Sequence, residues 1–384
     1  MIPLSVPNLT GNERKYLNMC IDTTYVSSVG EFVDRIEIMM SEICGTRYGV
    51  ATSSGTTGLH LSLTGCGVKR DELVIIPTFT FIATANAIAH CGAVPWLIDI
   101  SLDSWTLDPI QLEQELEKNT VWDAERLIHK KTGQRIAAVM PVYTLGNIPN
   151  MEKIKEIAER YHLPVIADAA AAIGAEYKGE KIGGLADLTV FSFNGNKTVT
   201  AGGGGMIIGN DEELMRKLKH LSTTARVSEE YDHDMVGFNY RMTNIQAAVG
   251  CAQLERVGEF VRKKREIRAF YEQSFSRIQN ISLFPAPEGE KSACWLSGIV
   301  LKEGGTDEVR KLCQELEEMG IEGRGFWKPI HLQKPYQGSV KAQSLDNASN
   351  LWKRILVLPC STNISHNELK YAADAVKTII RRSL

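Results

Sequence analysis

Two side chains stand where covalent and proton chemistry could be done. Lys197 lies in the stretch LTVFSFNGNKTVTAGGGG (188–205), where an apolar run ending at Phe193 delivers Asn194, Gly195, Asn196 and the lysine into a turn. A lone loop lysine is ordinarily a solvated charge. Here glycines on both sides let the backbone approach something bulky, and the turn falls at the carboxyl end of a strand, where open α/β sheets collect ligands. Asp168 ends the apolar run PVIAD. A carboxylate there is costly to bury alone and is expected to meet a cation.

A third feature supplies an anion site. The segment Ala51–Gly58, ATSSGTTG, precedes the helical pattern LHLSLTGC. Small hydroxyl residues and glycines opening a helix present free N–H groups and the positive end of its dipole. A plain Ser/Thr cap is the ordinary alternative. A lysine, an aspartate and an anion cradle at three strand ends are together what pyridoxal phosphate requires: an amine for its aldehyde, a carboxylate for its ring nitrogen and a cup for its phosphate. Nucleotide motifs fail on the same letters. There is no Gly-Lys dipeptide for a P-loop, and Ile207 and Ile208 stand where a dinucleotide fingerprint needs its third glycine.

Short apolar runs alternating with helical patterns predict an α/β fold with a mostly parallel sheet. Strands are expected at Val74–Pro77, Val94–Ile98, Ile136–Val142, Pro164–Ala167, Leu188–Phe193 and Met206–Ile208. Helices are expected at Thr57–Cys66, Phe81–Cys91, Pro109–Glu117, Met151–His162 and Asp211–His220. Asp108 and Asn150 read as N-caps, Gly65 and Gly92 as C-caps. One long amphipathic stretch, Thr243 to about Ser276, leaves the sheet. A strand at Trp295–Leu301 and helices at Asp307–Met319 and His366–Arg382 follow. The pattern divides the chain into a large unit, 1–250, and a smaller C-terminal α/β unit, 251–384.

Composition narrows the classes further. The 384 residues carry a net charge of −3, which argues against a dedicated nucleic-acid binder. No apolar run approaches the roughly 20 residues that span a bilayer, and the opening MIPLSVPNLTGNERKYL lacks the pattern of a signal peptide. A cytoplasmic location is the default expectation. The eight cysteines are scattered, with no C-x-x-C pair and no metal-ligand spacing, so neither a disulfide framework nor a metal is expected.

The chain resembles the fold-type I, pyridoxal-phosphate-dependent nucleotide-sugar aminotransferases of the DegT/DnrJ type. The likeness rests on IPLSVPNLTGNE, YVSSVGEFVDRIE, TSSGTTGLHLSL, VIIPTFTFIATANAIAHCGAVP, VIADAAAAIGA, FSFNGNKTVTAGGGGMI, GFNYRMTNIQAAVGCAQL, KPIH and LVLPCSTNIS, in that order over nearly the whole chain. It implies a large domain with a seven-stranded type of sheet and a smaller C-terminal domain. By the same resemblance Lys197 matches the Schiff-base lysine and Asp168 the carboxylate facing the pyridine nitrogen. Gly55, Thr56, Thr57, Ser192 and Asn194 fall to the phosphate and cofactor site, and Phe81 to the ring stack. Asn239 matches a residue reaching the neighbouring subunit's phosphate, which implies a homodimer with shared sites. Tyr25 and His331 fall near the sugar. Arg226, Arg241, Lys334 and Tyr336 are further candidates for the substrate diphosphate or base.

The likeness is greatest to enzymes that aminate C4 of UDP-linked 4-keto-6-deoxy-hexosamines, in bacillosamine- and legionaminic-acid-type pathways. It implies ping-pong transamination from glutamate, giving a 4-amino sugar for glycan biosynthesis. The alternatives are a sugar dehydratase of the same fold, against which Lys197 itself argues, and a non-catalytic cofactor-binding regulator. One departure stands out: the family usually has Gln or Glu three residues after the aspartate, and here that residue is Ala171.

Overall fold

The computed structural model describes residues 1–383. Among them, seven of the eight strands of the main sheet are β1 (Tyr48–Thr52), β2 (Leu73–Pro77), β3 (Val94–Ile98), β4 (Ile136–Val139), β5 (Ile166–Asp168), β6 (Leu188–Ser192) and β7 (Gly205–Gly209). They run in the order β1-β7-β6-β5 and β4-β2-β3. Single bridges, Val139 to Val165 and Val142 to Asp168, join the two halves. Only β7 is antiparallel to its neighbours; the other pairings are parallel. Every residue of β2 and β7 is buried, as expected for strands covered on both faces.

The helices that cover this sheet start where local chemistry lets them. Ser54 opens α3 (Gly55–Gly65) with a reciprocal capping box on Thr57. Phe81 precedes α4 (Ile82–His90), and Asp108 caps α5 (Pro109–Asn119) through Ile110 and Gln111 N–H, with proline in its first turn. Asn150 caps α6 (Met151–Arg160), whose apolar stripe of Met151, Ile154, Ile157 and Ala158 is buried. Asp211 caps α7 (Glu212–Ser222). The expected helices and strands are present with shifted ends. Two helices at 13–22 and 31–44 and the strand β1 were not anticipated.

Three local expectations are corrected. The strand expected over Ile136–Val142 ends at Val139, because the chain there turns so that Val142 can pair with Asp168 alone. Gly65 is still helical; the left-handed residue after α3 is Gly67, at φ +81°. Gly65 instead allows close packing, since a Cβ there would lie 2.4 Å from Leu218 of α7. The stretch from Thr243 is two helices, α8 (Asn244–Leu254) and α9 (Val257–Phe275). The first does not leave the sheet unit. Its Ala247, Ala248, Cys251 and Ala252 are too small and apolar to form an outer helix, and they sit in the first core.

A second core surrounds an antiparallel sheet of β8 (Ile281–Leu283), β9 (Ser297–Leu301), β10 (Arg324–Gly325) and β12 (Ile355–Leu358), in the order β8-β9-β12-β10. Helices α10 (Thr306–Glu318) and α12 (His366–Ser383) flank it, with a short helix, α11 (Asp346–Leu351), between them. The intervening strand β11 (Val340–Lys341) pairs instead with β3 of the main sheet. Ile330, Tyr336, Ala342 and Leu345 likewise belong to the first core, whereas Leu4 belongs to the second. No helix among the described residues is long and apolar enough to cross a membrane.

Candidate active site

A cavity of about 500 Å³ opens along the carboxyl ends of β1, β2, β5 and β6, a size typical of small-molecule sites. Its walls include Ser54, Gly55, Thr56, Phe81, Asp168, Ala171, Ser192, Asn194 and Lys197. Three strand ends far apart in the chain thus bring the amine, the carboxylate and the helix opening together.

Asp168 is 5% exposed, with both oxygens occupied. Thr84 Oγ1 donates to Oδ2 at 2.7 Å, and the Ala170 N–H donates to Oδ1 at 3.1 Å. Burial raises its pKa, and these two donors and Lys197 oppose that rise. Thr84 is in turn hydrogen-bonded to Thr80, another wall residue, at 2.8 Å. Lys197 is partly covered along its stem, but its amine is deeply enclosed. Enclosure pushes its pKa down to about 8 against the opposing pull of Asp168. The ammonium lies 3.6 Å from the centre of the Trp295 ring and has no hydrogen-bond partner among the described residues. An amine near neutrality beside a buried carboxylate is poised for proton transfer and for attack on a carbonyl carbon.

The anion cradle is built at the start of α3. The first N–H groups of a helix have no intrahelical acceptor, and the opening of α3 at Gly55 and Thr56 brings that donor end to the cavity wall. Gly55 is required by packing: a Cβ there would lie 2.9 Å from Ser192 Cβ. The glycine run serves the same purpose from the other side. Gly204, at φ +99°, pairs with Ser54, and a Cβ at Gly205 would lie 2.6 Å from Gly55 N. Three aromatic rings also line the cavity. Phe81 and Trp327 are 5.6 Å apart, and Trp295 and Trp327 are 5.9 Å apart. The donor set therefore fits pyridoxal phosphate: a free amine, a buried carboxylate, a helix opening for the phosphate and an aromatic wall.

Not every expected residue reaches the cavity. The Thr57 hydroxyl turns back to accept from Ser54 N–H at 3.0 Å, so its side chain closes the cap. His331 is held at both ring nitrogens, by Thr78 at 2.7 Å and Ser349 at 3.0 Å, and burial pushes its pKa down to about 4. Tyr25 is 57% exposed and lies away from the wall. Asn239 is exposed although its neighbours are engaged: Tyr240 O accepts from Ser53 N–H, and Arg241 bridges to Thr52. Arg226 is tied to Ser228 and Glu229 carbonyls, Lys334 is exposed, and Tyr336 is buried on Asn86. None of these lines the cavity.

Sequence reasoning missed Trp295, Trp327, Arg324, Asn196 and Thr84. Thr84 had a faint signal, since Thr80 and Thr84 are one helical turn apart at a strand-to-helix junction. The tryptophans and Arg324 come from the second core, and nothing in the local sequence ties them to Lys197.

Comparison with known proteins agrees with this geometry. A model of the DegT/DnrJ/EryC1/StrS aminotransferase family matches residues 7–377. GDP-perosamine synthase of Caulobacter vibrioides is 40% identical, over 87% of this chain and 86% of that protein. UDP-4-amino-4,6-dideoxy-N-acetyl-beta-L-altrosamine transaminase of Campylobacter jejuni is 32% identical, over 100% and 98%. The PLP form of Spr1654 from Streptococcus pneumoniae superimposes with a TM-score of 0.90 at 25% identity, covering 100% of this chain and 99% of that one.

Proposed function

The chain belongs to the DegT/DnrJ/EryC1/StrS aminotransferase family and takes pyridoxal phosphate as its cofactor, and on that premise we propose that it aminates a nucleotide-linked 4-keto-6-deoxy sugar with glutamate as donor. The observation that carries this reading is the Lys197–Asp168 pair in a cavity that opens on the helix cradle of Gly55 and Thr56. Relatives named as a GDP-perosamine synthase and as a UDP-4-amino-4,6-dideoxy-N-acetyl-beta-L-altrosamine transaminase support the substrate class.

When bound, pyridoxal phosphate supplies an electrophilic carbon that takes up the amino group and a ring that accepts the electron pair left at the donor's α-carbon. Gly55 and Thr56 N–H and the Ser192 hydroxyl would hold its phosphate, and Phe81 would face its ring. Asp168 would keep a proton at the ring nitrogen. Its hydrogen bonds from Thr84 and Ala170 favour the charged form that this task needs. The Lys197 amine carries a proton between the donor's α-carbon and the reacting carbon, and returns it when the keto sugar takes the donor's place. The Trp295 and Trp327 rings exclude water from that path. Arg324, at the cavity wall, is placed to meet the donor's carboxylate or the sugar's diphosphate.

The test is a panel of UDP-, GDP- and dTDP-linked 4-keto-6-deoxy sugars, each incubated with the holoenzyme and glutamate. Conversion of the keto group to an amine, read by mass spectrometry, is expected for one nucleotide class. No amination of any member, with an enzyme that still exchanges its amino group with glutamate, overturns the sugar assignment.

A further inference from the structure

Helix α9 carries an ammonium with no counter-charge. Lys264 is 2% exposed, and no carboxylate pairs with it among the described residues. Its Nζ donates to Trp295 O at 2.9 Å and to Cys360 O at 2.7 Å, with Cys360 Sγ at 3.7 Å. A buried charge paired only with neutral groups is expensive. Two carbonyls from separate segments, one before β9 and one after β12, are what it holds.

Both segments lead to the reacting amine. The Trp295 indole N–H donates to Asn196 O at 2.8 Å, and the same ring lies under Lys197 Nζ. The Cys360 N–H donates to Leu4 O at 2.7 Å, and the next residue, Ser5, donates its hydroxyl to Asn196 O at 3.3 Å. Asn196 O, one residue before Lys197, is therefore gripped from two directions by segments that converge on Lys264. The neighbouring cations of α9 hold the same run of chain. Arg265 donates to Ser292 O at 2.9 Å, and Arg268 to Leu296 O at 3.2 Å.

We propose that Lys264 is a positioning residue for the transamination: its ammonium draws the Trp295 and Cys360 carbonyls together and so holds the Trp295 indole against the Lys197 amine. The inference rests on Lys197 being the reacting amine. A tetrahedral ammonium suits the task because its three N–H groups diverge toward two carbonyls and a thiol, which a planar guanidinium cannot match. Loss of the grip lets the indole swing and water enter. The charges that bear on the outcome are Asp168 beside Lys197, and Arg265 and Arg268 on the helix of Lys264.

The experiment compares wild type, Lys264→Met, Trp295→Leu and the double variant. In the apoprotein, the pH dependence of Lys197 carbamylation by cyanate is read by peptide mass spectrometry. In the holoenzyme, kcat and KM for glutamate are measured. The wild-type midpoint is expected near 8. Lys264→Met is expected to move it up toward an ordinary lysine, with kcat lowered about tenfold or more and KM changed less. The double variant is expected to match Trp295→Leu. An unmoved midpoint in folded Lys264→Met, or additive effects in the double variant, overturns the proposal. Should Lys264→Met not fold, Lys264→Arg takes its place: an upward shift supports the proposal and an unmoved midpoint overturns it. Failure of the Lys197 reading is separate, since it shows as turnover retained in Lys197→Ala.

Discussion

Lys197 and Asp168 are both pushed by burial toward their neutral forms; Asp168 opposes that push on Lys197, and Thr84, the Ala170 N–H and Lys197 together oppose it on Asp168. This makes the pair responsive to small changes. Lys197→Ala should abolish turnover, a loss of at least about a thousandfold given what positioned acid–base groups contribute. Asp168→Asn should keep the fold and the cofactor and lose most of the rate, measured as kcat in steady state. Thr84→Val removes a hydrogen bond to a carboxylate, so Asp168 should be harder to ionise and kcat should fall by about tenfold. The lysine also leaves a mark on stability. Its folded pKa lies below the ordinary lysine value, so the unfolded chain binds more protons between about 8 and about 10.4. Apoprotein stability should therefore rise with pH through that window, and Lys197→Met should flatten the rise in a thermal melt series. Ala171, buried at the cavity wall, offers the site no polar side chain there.

His331 shows how an element end can claim a side chain that looks catalytic. Its ring ties Thr78, just past β2, to Ser349 of α11, and so fastens the returning segment 330–351 to the sheet. His331→Leu should remove the two ring hydrogen bonds, while Ser349 keeps its bond to Leu345 O and Thr78 its bond from the residue 331 N–H, and cost about 2 kcal/mol, read as a lower denaturation midpoint. The glutamate half-reaction should survive. The imidazole is held neutral, with its pKa near 4. Between about 6.5 and 4 the unfolded chain takes the proton first, so the wild type should lose stability as pH falls through that range and the variant should lose less. Thr57 belongs to the same lesson. A threonine in the first helical turn serves the cap before it can serve a ligand. Strands and caps were legible because they depend on neighbours in the chain. The break between α8 and α9 was not, because both sides carry helix-forming residues and only the packing of α8 into the first core separates them.

The two cores interleave in sequence, with Leu4 in the second and residues 330–345 partly in the first. We propose the division near residue 250 as the mechanical boundary, with that returning segment assigned to the large unit; limited proteolysis yielding a stable fragment that lacks the returning segment would count against it. Assembly is also a proposal. Asn239 faces outward while its neighbours brace the cradle, which suits a residue donated to a second copy's phosphate site. If so, inactive Lys197→Ala and Asn239→Ala proteins, mixed and reassembled, should regain part of the wild-type rate, because one hybrid site then carries neither change. No recovery, with mixed dimers shown by native mass spectrometry, would refute shared sites.

Lys197, Asp168 and the Gly55–Thr56 opening could be picked out from the letters because each sits at a strand or helix end, and such ends are written in a few adjacent residues. The α/β class followed from the same short-range periodicity. Trp295, Trp327, Arg324 and the support of Lys264 could not be picked out. Asn196 and Trp295 are 99 positions apart, and their contact exists only because the second core packs over the carboxyl ends of the first. Packing also decided which candidates were spent on structure. A hydroxyl or imidazole can reach a ligand only after the buried groups around it are satisfied, and that accounting is settled by the folded whole.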